Sequence, residues 1–222
     1  MQNKILTYYD TLAKDYDKDR FENTYGKYID KQERLFLHSF IKTKKFSKIL
    51  DLGCGTGRLL EFATHGLDFS QEMIKIARTK YPEKIISVGE ISDIPFDAEF
   101  DCIFCFHVIM HQNKEKTQSF LNECYKKLSS NGVLIFDFPT KTRRKVISEQ
   151  EEWHASNTFT EKEILDKTKN QWKPVKTVGV LFFPIHRFPK NFRRLFLPLD
   201  RMICNTFLKK WASYNIIVLE KK

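Results

Sequence analysis

Apolar residues recur at two different spacings along the chain, and the change of spacing divides it into elements. Spacings of three and four in 3–17 and 26–42 predict two leading helices. From residue 48 onward, short and almost wholly apolar runs alternate with helical segments. The predicted strands are 48–52, 66–68, 84–88, 100–106, 133–138, 175–183 and 214–219. The predicted helices between them start near residue 58 and cover 71–80, 114–129 and 161–169.

The order of these elements predicts the fold class. Strands that are apolar on both faces are typical of a parallel sheet covered by helices. We therefore expect an α/β, Rossmann-like fold with a mostly parallel seven-stranded sheet and helices on both faces. No capped crossover joins the last two strands, so the final strand is expected to run antiparallel. The segment between them, 184–212, is too long for a hairpin turn and predicts a helical cap before the last strand.

Charge and composition say less about the function and the location of the protein. The 38 Lys and Arg residues exceed the 28 Asp and Glu residues, which gives a formal net charge of +10. Such a balance suits nucleic acid, an anionic membrane or an acidic substrate, but the lysines are scattered through every segment, which favours solvated faces. The N-terminus lacks the apolar run of a signal peptide, and no run approaches the roughly 18 apolar residues of a membrane span. We expect a cytoplasmic protein.

The five cysteines include one pair, Cys102 and Cys105, at the C-x-x-C spacing of metal and redox sites. The pair lies in a predicted buried strand, where residues three apart point to opposite faces. No second such pair or histidine pair accompanies it, so we interpret the thiols as structural and predict no metal site.

A glycine-dense turn follows the first strand, in the run ILDLGCGTGR from Ile49 to Arg58. A strand that ends in such a turn and enters a helix lets a ligand approach the backbone closely. The spacing is G-x-G-x-G, whereas a dinucleotide pyrophosphate loop requires G-x-G-x-x-G and here has Arg58 at its third glycine. An NAD-dependent oxidoreductase is therefore the disfavoured alternative.

Acidic residues follow three successive strands at the same predicted edge. Asp51 ends the first strand, Asp68 the second, and Glu90 follows the third. A carboxylate at Asp68 can accept both ribose hydroxyls of a nucleoside, and Glu90 with the Ile91 backbone can read the adenine edge. No G-K-[ST] phosphate-binding lysine is present. An adenosine site without phosphate-binding residues predicts S-adenosylmethionine as the cofactor.

Four runs in order, ILDLGCGTG, GLDFSQEMIKIAR, GEISDIPFDAEFDCIFCFHVIMHQ and LNECYKKLSSNGVLIFDFP, closely resemble the class I S-adenosylmethionine-dependent methyltransferases. The nearest likeness is to the broad group with ubiquinone/menaquinone-type and small-molecule enzymes, over about residues 3–139. The resemblance implies a single domain, 1–222, with N-terminal cap helices in 1–45, a cofactor-binding core in 46–139 and substrate-side and C-terminal strands in 140–222. It implies these cofactor-binding residues: Tyr16, Arg20, Asp51, Gly53, Gly55, Gly57, Asp68, Phe69, Met73, Glu90, Ile91 and Phe106.

Two histidines, His107 and His111, follow the fourth strand, where the resemblance implies substrate-facing groups. Either could accept a proton from an amine or hydroxyl nucleophile, and both are our candidate catalytic residues. The alternative is that they cap a helix or pack beside the cofactor, because methyl transfer needs little more than alignment. The stretch from Gly57 to Asp68 is shorter than in the family, so the first helix of the core should be stunted.

The substrate is predicted by exclusion. The Asn/Asp-Pro-Pro-Tyr-like turn of amino-methylating DNA enzymes is absent after the fourth strand, and no cysteine has the setting of a pyrimidine-carbon methylase. Nucleic acid is therefore disfavoured, and we expect a small molecule, lipid-like or aromatic, with N, O or C as acceptor. An RNA-modifying enzyme and a catalytically silent binding protein stay open as alternatives.

The cap at 184–212 alternates large apolar residues with arginine and lysine. A basic amphipathic segment of this kind covers the sheet, closes the active site, or makes a peripheral membrane or lipid contact. From position alone, four residues near it are expected to reach the pocket: Trp153, His154, His186 and Arg187. Monomer and homodimer both stay open.

Overall fold

Seven strands form one sheet in the computed structural model of the chain, which describes residues 2–143 and 157–222. The strands are β1 (Ile49–Leu52), β2 (His65–Asp68), β3 (Ile85–Val88), β4 (Phe100–Cys105), β5 (Leu128–Pro139), β6 (Trp172–Val180) and β7 (Tyr214–Lys221). Their spatial order is β3-β2-β1-β4-β5-β7-β6, parallel from β3 to β5 and antiparallel where β7 meets β5 and β6. The predicted α/β, Rossmann-like fold with an antiparallel last strand is confirmed.

Six helices flank the sheet in the described part of the chain, and the sequence fixes several of their starts. They are α1 (Gln2–Leu12), α2 (Thr24–Ile41), α3 (Gln71–Lys80), α4 (Lys114–Lys127), α5 (Glu161–Thr168) and α6 (Leu197–Cys204). Asn23, Ser70, Asn113 and Thr160 each accept a hydrogen bond from a free N–H of the first turn that follows. Between Gly57 and β2 the chain forms a 3₁₀ turn at Leu60–Phe62, the stunted helix that the spacing predicts.

The first predicted helix, 3–17, is too long. α1 ends at Leu12, and a π-helical turn at Lys18–Glu22 precedes α2. The reason is a tertiary contact that interrupts the helix: the Asp17 carboxylate accepts a hydrogen bond from the Thr56 hydroxyl at 2.6 Å. Residues 13–22 are thereby held over the glycine turn instead of continuing the helix.

The predicted helix 114–129 ends early, at Lys127, because Leu128 is already in the sheet. Leu128 is extended, fully buried and paired with Phe100. Asn131 and Gly132, which we interpret from sequence as a helix stop, lie inside β5 at an irregularity where the register with β4 shifts, and Asn131 has φ +60°. The same residue types serve a strand bulge as readily as a helix end.

The predicted strand 175–183 is displaced and runs from Trp172 to Val180. Trp172 is buried and pairs with Lys221, which draws the start of the strand back. At the other end the Leu181 N–H donates to Gln32 Oε1, and the Phe182 N–H donates to Asp200 Oδ1, both at 2.9 Å. The chain leaves the sheet there to bond α2 and the cap.

The apolar core lies in two layers, one on each face of the sheet. Cys102 belongs to one layer and Cys105 to the other, so the predicted opposite orientation of the two thiols is confirmed. The strand order reverses between β1 and β4, and in open parallel sheets ligands bind at the strand carboxyl ends at such a reversal. Among the described helices, none combines the length and the apolar character that a membrane span requires.

Candidate active site

A cavity of about 310 Å³ lies at the carboxyl ends of β1 to β4, beneath α1. The volume is at the lower end of the usual range for small-ligand sites. Eleven of the residues predicted from sequence line it: Tyr16, Gly53, Gly55, Asp68, Phe69, Met73, Glu90, Ile91, Phe106, His107 and His111. Residues far apart in the chain thus meet at one concave surface.

The glycine turn after β1 forms part of the cavity wall. Gly53 and Gly55 have φ of +82° and +53°, a region that side chains with a Cβ disfavour. A Cβ built on Gly55 would meet no atom within 4 Å, whereas one built on Gly53 would collide with the Val108 side chain. The backbone at Gly55 therefore faces open space, where a ligand can contact it directly.

Asp68 ends β2 with its carboxylate at the cavity wall. One oxygen accepts the Gly55 N–H and the other accepts the Ser70 N–H, each at 2.9 Å. Burial raises the pKa of Asp68 to about 6, although these backbone donors lower it. A carboxylate fixed in this way retains acceptor capacity on both oxygens, as recognition of a diol requires.

Three predicted cofactor residues do not line the cavity. The Asp51 carboxyl is buried, and burial raises its pKa to about 8. Gly57 has φ +86°, but its Cβ position faces the side chains of Leu60 and Tyr81 at 3.1 and 3.3 Å, so it serves the turn itself. Arg20 lies at the surface and donates to the Tyr8 hydroxyl at 2.7 Å.

α1 lies over the cavity and is tied to its rim. The Ser70 hydroxyl donates to Asp10 Oδ1 at 2.5 Å, and the Tyr9 ring packs against Phe69 and Tyr16 at centroid distances of 5.9 and 6.0 Å. Tyr9 and Ile5 contribute to the wall. The N-terminal helix is therefore the roof of the site.

His107 is held between two buried carboxylates. Its Nε2 lies 2.7 Å from Glu33 Oε1 on α2, and its Nδ1 lies 3.5 Å from Asp137 Oδ2 on β5. The backbone N–H of His107 donates to Asp137 Oδ1 at 2.7 Å, and this non-glycine residue has φ +60°. Arg58 completes the cluster, with its guanidinium 2.8 Å from Glu33 Oε2 and 2.7 Å from Asp30 Oδ1.

This arrangement favours a charged His107 ring. Burial by itself lowers the pKa of His107, but the charges of Glu33 and Asp137 outweigh it and raise the pKa above its ordinary value. Burial opposes ionisation of Glu33 as well, yet His107 and Arg58 hold its pKa well below the usual range. Two carboxylates and an imidazole are also ligand types for a metal, and one ligand atom from each of Glu33, His107 and Asp137 lies within 4.8 Å of the others; Glu33 is at the same time paired with Arg58.

His111 differs from His107 in its surroundings. It follows a 3₁₀ turn after β4 and lines the cavity, and its Nε2 lies 3.1 Å from the Tyr9 hydroxyl of the roof. Burial raises the pKa of Tyr9 strongly, so its hydroxyl stays protonated. His111 and Tyr9 together form a polar pair at the cavity wall.

Sequence reasoning missed Glu33, Asp137 and the contact of Tyr9 with His111. A signal was present for the first two. Glu33 falls on the buried face of α2 beside Ile29 and Phe36, and Asp137 interrupts the apolar run of β5. Burying a carboxylate at an apolar position costs free energy unless it is paired, so an acid in such a position indicates a buried polar cluster. The resemblance implies that the helix of Tyr9 folds over the cofactor, but the contact of Tyr9 with His111 had no comparable signal, since a tyrosine on an amphipathic helix is ordinary.

The cap and its neighbours do not reach the described cavity wall. His186 and Arg187 are exposed, and His186 packs instead near Tyr25 at a centroid distance of 6.3 Å. The expectation for these two residues was wrong, because the cap packs on β6 and α2. Trp153 and His154 lie outside the described residues.

The wall suits an adenosine-containing ligand. Its lining includes the Asp68 carboxylate, the apolar side chains of Phe69, Met73 and Ile91, and the acidic residue Glu90. The open backbone at Gly55 leaves room for a ligand chain where any side chain would intrude. These features fit S-adenosylmethionine.

Comparison with known proteins agrees with this fit. Residues 50–136 match the family described as a methyltransferase domain. An uncharacterized protein of Methanocaldococcus jannaschii is 31% identical over 239 residues, which cover 98% of this chain and 90% of that protein. An uncharacterized methyltransferase of Alkaliphilus oremlandii is 28% identical over 57% of this chain and 63% of its own length.

A solved structure extends the likeness to the whole chain. The magnesium protoporphyrin IX methyltransferase of Synechocystis PCC 6803, with bound SAH, superposes with a TM-score of 0.69, covers 100% of both chains and is 14% identical. At that identity the likeness is one of fold. Together with the matched family and the full-length relative, it identifies the chain as a class I methyltransferase, an enzyme that uses S-adenosylmethionine.

Proposed function

We propose that this enzyme, acting as one domain, transfers the methyl group of S-adenosylmethionine to N, O or C of a small molecule by direct displacement. The observation that carries the proposal is the single cavity of about 310 Å³, whose wall is shared by two kinds of residue. On one side are Gly55, Asp68 and Glu90, which suit the cofactor. On the other are His107, His111 and Tyr9, which face the space left for an acceptor.

The size and roof of the cavity support a small substrate. α1 crosses above the site and is fastened by Asp10 to Ser70, so a bulky polymer has no broad opening at that side. The described wall also offers apolar surface at Ile5, Phe106 and Val108. A compact molecule with an apolar or aromatic body fits this surface best.

The cofactor residues hold and orient S-adenosylmethionine. We assign the ribose hydroxyls to Asp68, the adenine edge to Glu90 and the Ile91 backbone, and the apolar contacts to Phe69, Met73 and Phe106. Bound S-adenosylmethionine supplies a methyl group on a positively charged sulfur. Burial of that centre beneath the roof aligns the acceptor and excludes water, which is the main requirement of a direct displacement.

For acceptors that carry a proton, we assign proton removal to Tyr9 and His111. The proton of such an acceptor would pass to the Tyr9 oxygen, and the Tyr9 proton would pass to His111 Nε2 over the 3.1 Å contact between them. His107 is a poorer base because carboxylates face both of its ring nitrogens. We assign it a positioning role, since it joins α2, β4 and β5 behind the cavity.

Calorimetric titration with S-adenosylmethionine and with its demethylated product tests the proposal. We expect micromolar binding of both to the wild type and binding at least about 100-fold weaker to Asp68→Asn, because two hydrogen bonds to a charged acceptor are weakened. Asp166→Asn, an exposed acid on α5, is the matched control and should bind normally. Absence of binding to folded wild-type protein would refute the proposed site.

A substrate panel of small amines, phenols and quinone-like lipids then tests transfer. Tyr9→Phe and His111→Gln should keep cofactor affinity and lower kcat by about 100-fold on O and N acceptors, the usual contribution of a general base. Unchanged kcat in both variants would leave alignment alone as the mechanism and remove the assigned pair. Cofactor binding with no turnover on any acceptor would instead favour the catalytically silent alternative.

A further inference from the structure

The cap carries most of the large apolar surface that the described chain exposes. Nine large hydrophobic residues are exposed, and six of them fall in 192–211. They are Phe192, Leu195, Leu199, Met202, Phe207 and Trp211, with exposures from 41% to 75%. Single exposed apolar residues are ordinary, but a concentration of six within twenty positions marks an interaction surface.

The arrangement of α6 shows that folding does not account for this patch. Leu197, Asp200 and Cys204 face the protein and are buried. Leu195, Leu199 and Met202, spaced at i, i+4 and i+7 along the turn that leads into the helix and the helix itself, lie on the opposite side and are exposed by 72%, 42% and 62%. A helix that needed only to cover the sheet would be polar on this outer face.

The exposed charges within the cap, 184–212, are all of one sign. Asp200 is the one acidic residue in 184–212, and it is fully buried, accepting bonds from the Tyr28 hydroxyl at 2.8 Å and the Phe182 N–H at 2.9 Å. The exposed charged residues of the cap are basic, among them Lys190, Arg194 and Arg201. The surface thus combines apolar side chains with positive charge and presents no exposed carboxylate of its own.

A groove beside the patch extends the positive surface. Lys190 and Arg194 of the cap face Lys27 and Lys31 of α2 across it. The acids in its lining are already paired, Asp30 with Arg34 and Arg58, and Glu61 with Arg34. The groove can therefore receive an anionic group without meeting an unpaired carboxylate.

We propose that the cap docks on a lipid bilayer with anionic headgroups. Apolar side chains would enter the interface while the flanking lysines and arginines contact the headgroups. A second copy is a poorer occupant, because an isologous contact would bring the same basic residues face to face. Nucleic acid accounts for the charge but not for exposed leucine and methionine.

The proposal is independent of the methyltransferase site, which makes the two separable. None of the described cap residues lines the cavity. Variants in the patch should therefore retain normal affinity for S-adenosylmethionine in the calorimeter. That affinity also serves as the check that each variant is folded.

The experiment is co-sedimentation of the full chain with vesicles. One set contains phosphatidylcholine alone, and the other contains phosphatidylcholine with phosphatidylglycerol. We expect partition at least about tenfold stronger onto the anionic set, weakened by added salt because exposed charges are screened. Absence of partition, or equal partition onto both sets, would overturn the proposal.

Paired variants locate the surface. Leu195→Ser with Met202→Ser, and separately Arg194→Glu with Arg201→Glu, should each lower partition onto anionic vesicles by about tenfold or more. Ile85→Ser with Val175→Ser removes exposed apolar residues elsewhere, and Lys44→Glu with Lys45→Glu reverses exposed charges elsewhere; both controls should partition much more strongly than the cap variants. Equal losses in the controls would show that this face is not the docking surface.

Sedimentation velocity tests the alternative that a second copy of the chain binds the patch. The wild type and Leu195→Ser with Met202→Ser should have the same oligomeric state at micromolar concentration. A wild-type dimer that this double variant dissociates would assign the patch to self-association and overturn the bilayer proposal. Retention of RNA by the wild type, with no retention by vesicles, would overturn it as well.

Discussion

The cavity wall and the outer face of the cap depart from ordinary burial in opposite directions. The carboxylates of Asp68, at the cavity wall, and of Glu33, behind His107, are buried, 7% and 1% exposed. At the cap, Leu195 and Phe207 are exposed by 72% and 75%. Folding alone disfavours both arrangements. Burying a charge costs free energy, and leaving apolar surface exposed loses the stabilisation that its burial would give. Each region is therefore better explained by what it binds than by what it stabilises.

Two buried acids, Asp200 and Asp68, differ in what surrounds them. Asp200 lies under the cap and is enclosed by its own protein donors, including Tyr28 and the Phe182 N–H. Asp68 accepts backbone donors too, but its carboxylate also lines an open cavity. Burial alone therefore does not indicate a binding residue, whereas a buried carboxylate that borders a cavity does.

The largest expected effect comes from breaking the cluster behind the cavity with His107→Gln. The variant should lose about 3 kcal/mol of unfolding free energy at pH 6, because Glu33 keeps its burial and loses one of its cations. Denaturant titration measures the loss. A change below about 0.5 kcal/mol would show that the cluster contributes nothing to folding.

The difference in unfolding free energy between the wild type and His107→Gln should also depend on pH, in a defined direction. The folded-state pKa of His107 is raised above its unfolded value of about 6.5, so the folded state holds this proton more tightly. Its contribution is complete below about pH 6.5 and is lost as the pH rises through the folded-state value. The difference between wild type and His107→Gln should therefore shrink at alkaline pH. A difference that grows with pH would contradict the charged ring.

A smaller effect is expected from the glycine turn, where two neighbouring glycines should respond differently. Gly55→Ala adds a Cβ to open space, so it should cost only the 1–2 kcal/mol of its positive φ while lowering cofactor affinity by about tenfold. Gly53→Ala places its Cβ against Val108 and should lower the melting temperature further. Thermal melts and calorimetry together measure both quantities. Normal cofactor affinity in Gly55→Ala would remove this backbone from the binding site.

The smallest effect belongs to the outer face of the cap. Leu195→Ala should change the unfolding free energy by less than about 0.5 kcal/mol, because the side chain is already in water. Leu197→Ala, two residues away on the buried face, is the matched contrast and should cost about 2 kcal/mol. Similar losses from both would mean that the outer face is covered within the protein and would end the comparison with the cavity.

Most of the cofactor half of the cavity could be predicted from sequence because its residues follow local rules. Gly53, Gly55 and Asp68 sit at fixed offsets from strand ends, and a parallel sheet brings successive strand ends to one edge. Gly57 shows the limit of this reasoning. Its glycine spacing is the same, but its positive φ serves the turn rather than the wall.

The partners of His107 could not be predicted in the same way. Glu33, His107 and Asp137 lie on α2, after β4 and on β5, and they meet only because those elements pack together. The roof depends on where α1 is fastened, which the bond from Ser70 to Asp10 decides. The cap shows a similar limit, because the amphipathic pattern of 184–212 did not say which face the protein would cover.

By itself the sequence determined the fold class, the direction of the last strand and most of the residues that meet at the cavity wall. Hydrophobic periodicity, turn residues and strand-end offsets are local properties, and a strand-helix order leaves few topologies to choose from. The tertiary structure decided the ends of β5 and β6, the charge of His107 and the outward face of α6. Each of these depends on partners distant in the chain, whose packing and fields outweigh local preference.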